Sequence, residues 1–232
     1  MTICIIPARS KSKRIKNKNI KLFNNKPIIS YAIELAKKTK IFKRIIVSTD
    51  SKKIAKIAIK CGAEVPFIRK KKLSDEFTGT SKVLIDAIKN ISSYKTKYHF
   101  CLYPTTALVT KNDLIKSFKK IKKQNSDTLI AVTDYNQSPL RALRIYKNKI
   151  NFIFNKYKKY RTQDTPPIYR DSGTFYIYKT DDFFKKRGQL TSKSTFYYLD
   201  RYKGVDIDSN LDFQFAEFLY KKNLKKKKKI IQ

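Results

Sequence analysis

From Thr2 to Tyr135, apolar runs of strand length alternate with segments of helical spacing, and no single motif constrains the fold as much. "TICIIP" is short, apolar and β-branched, and reads as a buried strand. "NKPIISYAIELAKKT" places Pro27 at a helix start and apolar residues at Ile28, Tyr31, Ala32 and Leu35, one face of a helix. "RIIVSTD" predicts a second strand, and "SKKIAKIAIKCG" a second helix closed by Gly62. "AEVPFIR" predicts a third extended piece. "SKVLIDAIKNI", "YHFCLYP", "KNDLIKSFKKIKKQ" and "DTLIAVTDY" continue the series as helix, strand, helix and strand. This order implies an α/β fold: a Rossmann-like, mostly parallel sheet with helices on both faces.

The pattern changes after Leu140. Up to about Asp200, aromatic and β-branched runs ("RALRIYKN", "KINFIFNKY", "GTFYIYK", "STFYYLD") follow one another with little helix between, which predicts an antiparallel excursion over residues 140–200. The last helix is "NLDFQFAEFLYKKN", and residues 223–232 read as a basic, solvated tail after it. No repeat and no linker divides the chain, so residues 1–232 are expected to form one domain.

Ligands of open parallel sheets bind beyond the carboxyl ends of the strands. That rule collects the loop after the first strand, the Thr49-Asp50 end, the Arg69 loop and the Pro104–Thr106 loop on one rim. The first of these, within "IIPARSKSKRIKNKNI", carries Arg9, Lys11, Lys13, Arg14, Lys16 and Lys18 and no glycine. It is neither a Walker loop nor a dinucleotide fingerprint, both of which need glycine. Its cations and amides could cradle a triphosphate and offset charge on a leaving pyrophosphate; the alternative is a solvated lysine-rich loop.

Charge raises a competing class. The chain has 54 Lys and Arg against 18 Asp and Glu, a formal charge of +36, which would attract any polyanion. The lysines, however, are spread along the whole length, and abundant Lys, Asn and Ile are also what an AT-rich coding bias produces. A basic nucleic-acid-binding α/β protein therefore stands as the different-class alternative.

Two acidic residues stand out against that background. In "GVDIDSNLDF", Asp206 and Asp208 fall at i and i+2 before a helix, so on an extended segment both face one way and suit a hard Mg²⁺ ion. The alternative is that Asp208 or Ser209 only caps the helix. "YRTQDTPPIYRDSG" offers Arg161, Gln163, Arg170 and Asp171, where arginines could pair with a substrate carboxylate or merely decorate a surface turn. Cys4, Cys61 and Cys101 form no CxxC pair and read as reduced thiols of a cytoplasmic protein. A lone His99 excludes a multi-histidine metal site and is expected to cap or border a strand. No apolar stretch is long enough to span a bilayer, and no signal peptide is expected before the first strand.

Taken in order, the run IPAR-x-x-SK-(x)4-KN, then KP-I, IIVSTD, "GAEVPFIRKKKLSDEFTGT", "YPTTAL" and "VDID" resembles the CMP-sialic-acid synthetase (acylneuraminate cytidylyltransferase) family from Ile3 to about Phe215. Within that family "LYPTTAL" with Tyr103, "SPLRAL", "YRTQD" and "DSGTFY" resemble the pseudaminic acid branch. The chain departs from it in carrying Ser10-Lys11 where many members have Gly-Gly, Arg170 where a histidine is expected, and "TPP" in place of an acidic stretch.

The resemblance implies transfer of CMP from CTP to the anomeric hydroxyl of a nonulosonic acid, pseudaminic acid before legionaminic, N-acetylneuraminic or another ulosonic acid, with release of pyrophosphate. It assigns Arg9, Ser12, Lys18 and Asn19 to the triphosphate, and Arg69, Thr78, Gly79 and Thr80 to the nucleotide's base end. Asp206 and Asp208 would hold Mg²⁺. Tyr103, Arg141, Arg161, Gln163 and Tyr176 would face the sugar. Arg9, Lys18, Asp206 and Asp208 form the expected catalytic set. The family is usually homodimeric, with the antiparallel excursion reaching the second subunit; membrane and nucleic-acid partners are not expected.

Overall fold

The computed structural model describes residues 1–91 and 96–231. The chain order is β1 (Thr2–Pro7), a short hairpin of β2 (Leu22–Phe23) and β3 (Lys26–Pro27), α1 (Ile28–Thr39), β4 (Arg44–Ser48), α2 (Lys52–Lys60) and α3 (Thr80–Asn90). It continues with β5 (Tyr98–Leu102), α4 (Lys111–Lys123), β6 (Thr128–Asp134), β7 (Leu143–Tyr146) and β8 (Lys149–Phe152). β9 (Tyr169–Lys179), α5 (Thr180–Lys186), β10 (Ser194–Tyr198) and α6 (Asn210–Ile231) complete it.

The main sheet has six strands in the order β10-β6-β9-β5-β1-β4. β1 pairs in parallel with β4 (Ile5 opposite Ile46) and with β5 (Ile5 opposite Cys101). Strand β1 shows why its run is continuously apolar. Cys4 and Ile6 pack with Ile29, Ala32, Ile33 and Ala36 of α1, while Ile3 and Ile5 pack with Leu84 and Ala87 of α3. Alternate side chains leave opposite faces of a strand, so a sheet covered on both faces needs apolar residues at every position. A third cluster lies beside this sandwich and joins distant segments: Ile15 of the opening loop, Phe23 and Ile28, then Ile207, Phe213 and Ala216.

Four expectations need correction. "AEVPFIR" does not form a strand and makes only isolated bridges, Ile46 to Glu64 and Thr49 to Ile68. Pro66 between them has no amide hydrogen to continue a ladder. The excursion is also shorter than residues 140–200. β9 enters the main sheet antiparallel between β5 and β6, and β10 pairs in parallel with β6. Only the hairpin β7–β8 stands outside, with Leu143, Ile145, Tyr146 and Ile150 all exposed. Third, the backbone of α6 stays helical through Ile231, so most of the basic run lies within the helix. Lysine is a good helix former, and no Gly or Pro follows Asn210 to stop it.

His99 does not border a strand but lies inside β5, fully buried. Its ring stacks on Tyr178, meets Phe183 edge-on, and shares a 3.1 Å hydrogen bond between Nδ1 and Thr180 Oγ1. Burial drives its pKa down to about 3, so it is neutral in the fold. Unfolding then takes up a proton below the unfolded pKa of about 6.5, so this part of the stability is whole above that pH and falls on acidification. Urea unfolding of wild type is expected to lose about 2 kcal/mol more than His99→Phe between pH 7.5 and 5.0. Equal losses would show that His99 titrates in the fold as it does in the unfolded chain.

Among the described residues no helix is long and apolar enough to cross a membrane. Cys4, Cys61 and Cys101 are free thiols, the first and last buried.

Candidate active site

The carboxyl ends of β1 and β5 open onto a cleft of about 570 Å³. Its walls come from the opening loop (Arg9, Ser12, Lys13, Arg14, Lys18, Asn19), the segment from Arg69 to Thr80, and Tyr103–Thr105 after β5. Of the rim grouping expected from the strand order, the opening loop, the Arg69 loop and Pro104 line this cleft, while Thr49, Asp50 and Thr106 do not; Thr78 and Thr80 flank Gly79 at the N-terminus of α3.

The opening loop has a fixed shape without glycine. Its middle is pinned by Ile15, which is buried in the third cluster. Neither Ser10 nor Lys11 takes a positive φ; the left-handed residue of this loop is Asn17. The Ser10-Lys11 departure from Gly-Gly is therefore sterically ordinary here.

Lys18 reaches across the molecule. Its Nζ donates to the carbonyl of Ile207 at 2.6 Å and lies 3.5 Å from Asp208 Oδ1, while Arg14 pairs with the same carboxylate at 2.8 Å. Ile207 is buried, so Asp206 and Asp208 on either side of it are turned outward together. The capping alternative is divided by the geometry. Ser209 caps α6: Asp212 N donates to its Oγ, and Asp212 in turn accepts from the amides of Asp208 and Ser209. The carboxylate of Asp208 is thereby left to the cations of the opening loop. Asp206 has its pKa raised, by loss of hydration first and by the charge of Asp208 second, with Lys18, Arg170 and Arg14 opposing. Two neighbouring carboxylates whose charges disfavour each other at Asp206 suit a hard divalent ion that takes its other ligands from water and phosphate. Among the described residues no group of three or more His, Cys, Asp or Glu side chains gathers as a protein-only metal cage.

A glycine that sequence reading left without a role supports Asp206. β9 carries an irregularity opposite Ile130 and Val132, and Gly173 within it has φ +62°. A methyl group there would stand 3.2 Å from the Asp206 carboxylate. Gly173→Ala combines a left-handed alanine, costing about 1 kcal/mol, with this crowding. A melting temperature lower by about 2–4 °C is expected from the backbone alone, together with lower turnover. Wild-type turnover would mean that Asp206 tolerates displacement.

The segment from Arg69 to Thr80 is anchored by two buried residues, Arg69 and Ser74. Arg69 is buried, donates from Nε to Ser74 Oγ at 3.0 Å, and has its pKa lowered, chiefly by that burial. Asp75 accepts from the amides of Phe77 and Thr78 and so shapes the turn before α3. The same turn meets the opening loop: Arg9 Nη1 donates to the Asp75 carbonyl at 2.6 Å, and Lys13 pairs with Glu76 at 2.6 Å.

Of the expected sugar-facing residues, two stand together. Tyr103 lines the cleft and its hydroxyl shares a 2.7 Å hydrogen bond with Thr80. Its ring meets that of Tyr176 at 6.0 Å, and Tyr176 donates to Asp171. Burial raises the pKa of both phenols, so both remain protonated hydrogen-bond donors. Arg141, Arg161 and Gln163 lie elsewhere. Arg141 sits over the ring of Phe152, Arg161 makes two bonds to Asp164 (2.7 and 3.1 Å), and Gln163 is in a short 3₁₀ turn. None of the three lines the cleft of its own chain.

The sequence profile of the cytidylyltransferase family matches residues 3–230. The chain belongs to the cytidylyltransferase family. It is 37% identical to the pseudaminic acid cytidylyltransferase of Campylobacter jejuni subsp. jejuni serotype O:2 over 224 residues, 95% of this chain and 97% of that one. It is 32% identical to the CMP-N,N'-diacetyllegionaminic acid synthase of the same organism, over 97% of both chains. A solved CMP:2-keto-3-deoxy-manno-octonic acid synthetase complexed with CTP shares the fold, with a TM-score of 0.70 over 96% of this chain and 11% identity. This cytidylyltransferase is therefore an enzyme of the nucleotidyl-transfer class, built on the mostly parallel sheet that the strand order implied.

Proposed function

We propose that this cytidylyltransferase transfers CMP from CTP to the anomeric hydroxyl of pseudaminic acid. One observation carries the reading: Lys18 ties the cationic loop after β1 to the Asp206–Asp208 pair, so phosphate-binding and metal-binding chemistry share one rim. The full-length likeness to a pseudaminic acid enzyme supports the sugar, as does the resemblance of "LYPTTAL" and "DSGTFY", which carry Tyr103 and Tyr176, to that branch.

In this mechanism the anomeric oxygen attacks the α-phosphorus of CTP, the bond to the bridging oxygen of the β-phosphate breaks, and pyrophosphate leaves. The hydroxyl proton passes to solvent. Arg9, Ser12 and Lys18 hold the phosphates and offset the charge that grows on the leaving group. Arg69 and the Thr78–Thr80 segment border the cytosine. Tyr103 and Tyr176, kept protonated, orient the sugar by donating hydrogen bonds. Asp206 and Asp208 would hold Mg²⁺, which when bound neutralises phosphate charge and favours the ionised nucleophile.

The exposed apolar face of the β7–β8 hairpin fits a second copy of the chain, whose cleft would receive Arg141, Arg161 and Gln163. A molar-mass measurement in solution tests that dimer. Use of CTP and the free thiols fit a cytoplasmic enzyme.

The test is a pyrophosphate-release panel with CTP and Mg²⁺ against pseudaminic, legionaminic, N-acetylneuraminic and 3-deoxy-manno-octulosonic acids. Release fastest with pseudaminic acid is expected. Faster release with another acid would reassign the sugar. No release with any, alongside tight and steeply salt-dependent binding to nucleic acid, would favour the polyanion-binding alternative.

A further inference from the structure

We propose that Asp50 is a positioning residue of the CTP site, acting with Asn19 to fix the orientation of the Arg9–Ser10 peptide. The inference rests on the reading of the cleft as a CTP site. β1 and β4 run in register up to Pro7 opposite Ser48, and the ladder's last backbone bond is Ala8 N to the Ser48 carbonyl at 2.9 Å. A parallel ladder would next bond Ser10 N to a β4-side carbonyl two residues further on. The side chain of Asp50 takes that place. Ser10 N donates to Asp50 Oδ1 at 2.7 Å, and Ser10 Oγ donates to Oδ2 at 2.5 Å. A carboxylate in place of a carbonyl lets the loop leave the sheet while its first amide stays satisfied.

The other end of the same peptide is held as well. Asn19 Nδ2, on a buried side chain, donates to the Arg9 carbonyl at 2.9 Å. The Arg9 carbonyl and the Ser10 amide belong to one planar unit, so gripping both leaves it no freedom to flip. That plane sets where the Arg9 side chain departs, and Arg9 walls the cleft. Asn19 is thereby committed to the loop's backbone as well as lining the cleft. Asp50 has a supporting electrostatic place too, since its charge favours the cation of buried Arg69, which that of Arg9 opposes. The grip explains how a loop without glycine presents a defined cation: rigidity comes from two side chains outside the turn.

The conservative substitution separates this role from a simple charge effect. In Asp50→Asn the amide oxygen still accepts from Ser10 N and the amide nitrogen can donate to Ser10 Oγ, so the grip survives without the charge. In Asp50→Ala both bonds are lost. Steady-state pyrophosphate release is to be measured with CTP and sugar varied separately, beside melting temperatures. Expected for Asp50→Ala is a fall in kcat/KM for CTP of about tenfold or more, with the sugar KM within about twofold; Asp50→Asn should stay within about threefold of wild type. Wild-type kcat/KM for CTP in Asp50→Ala overturns the proposal. So does equal damage in Asp50→Asn, which would assign the effect to charge, or a parallel rise in both KM values with a large melting loss, which would make Asp50 a general structural residue. If wild type neither binds CTP nor releases pyrophosphate from it, the reading of the cleft fails, and the positioning role with it.

Discussion

Asp206→Asn and Asp208→Asn are each expected to lower pyrophosphate release by about 10²- to 10³-fold, the cost typical of removing one element of transition-state electrostatic stabilisation. The stability change should run the other way at Asp206. Its ionised form is disfavoured in the fold by lost hydration and by Asp208. A carboxyl group whose folded pKa is raised weakens the fold at pH values above its unfolded pKa. Asparagine is uncharged and nearly isosteric, so the metal-free Asp206→Asn protein should melt at or above the wild-type temperature. Lost activity with an undiminished melting temperature is the signature of a residue kept for chemistry at a cost to stability. Asp208→Asn should behave differently, because it also gives up the charge paired with Arg14 and Lys18. Arg14 is exposed and Asp208 half-buried, so the stability loss should be modest. Near-wild-type turnover in either variant at saturating Mg²⁺ would remove that carboxylate from the metal assignment.

Lys18→Ala should produce the second-largest effect, a fall in kcat/KM for CTP of about 10²-fold. The substitution removes two things at once: the charge that the proposed mechanism places at the triphosphate, and the bond to the Ile207 carbonyl, which holds the acidic segment against the opening loop. Lys18→Arg keeps a cation but changes its shape, and the planar fork is not a substitute for a point charge at a single carbonyl. It should recover only part of the loss. Comparable titrations with varied sugar should show much smaller changes, because Tyr103 and Tyr176 are held by Thr80, Asp171 and each other and do not depend on Lys18. Loss of sugar affinity as large as loss of CTP affinity would indicate collapse of the whole rim.

The residues that the structure gathers around the candidate site were legible where they are chemically conspicuous. Asp206 and Asp208 are rare acids in a basic chain, and Arg9, Lys18 and Asn19 follow a buried strand directly. Asp50 and Gly173 were not assigned roles, for different reasons. Asp50 ends a strand and precedes a helix, where an acidic residue is locally unremarkable; its partner Ser10 is forty positions away. Gly173 matters through a β-irregularity and through Asp206, neither of which leaves a local signal. Arg141, Arg161 and Gln163 do not line the cleft of their own chain, and a side chain's charge or polarity does not record where the fold places it.

The sequence by itself determined the kind of elements and the layered plan. Burial repeats every two residues on a strand and every 3.6 on a helix, so a local window suffices to read them. The tertiary structure alone decided which segments meet. β9 could as well have stayed in a separate ribbon; its place between β5 and β6 follows from its pairing with both neighbours and from burying Phe175 and Ile177 in the sheet. Lys18 and Ile207 are separated by 189 positions and are joined only because Ile15, Phe23, Ile207 and Phe213 share one apolar cluster. Packing of that kind depends on the whole chain being in place, and no local periodicity records it.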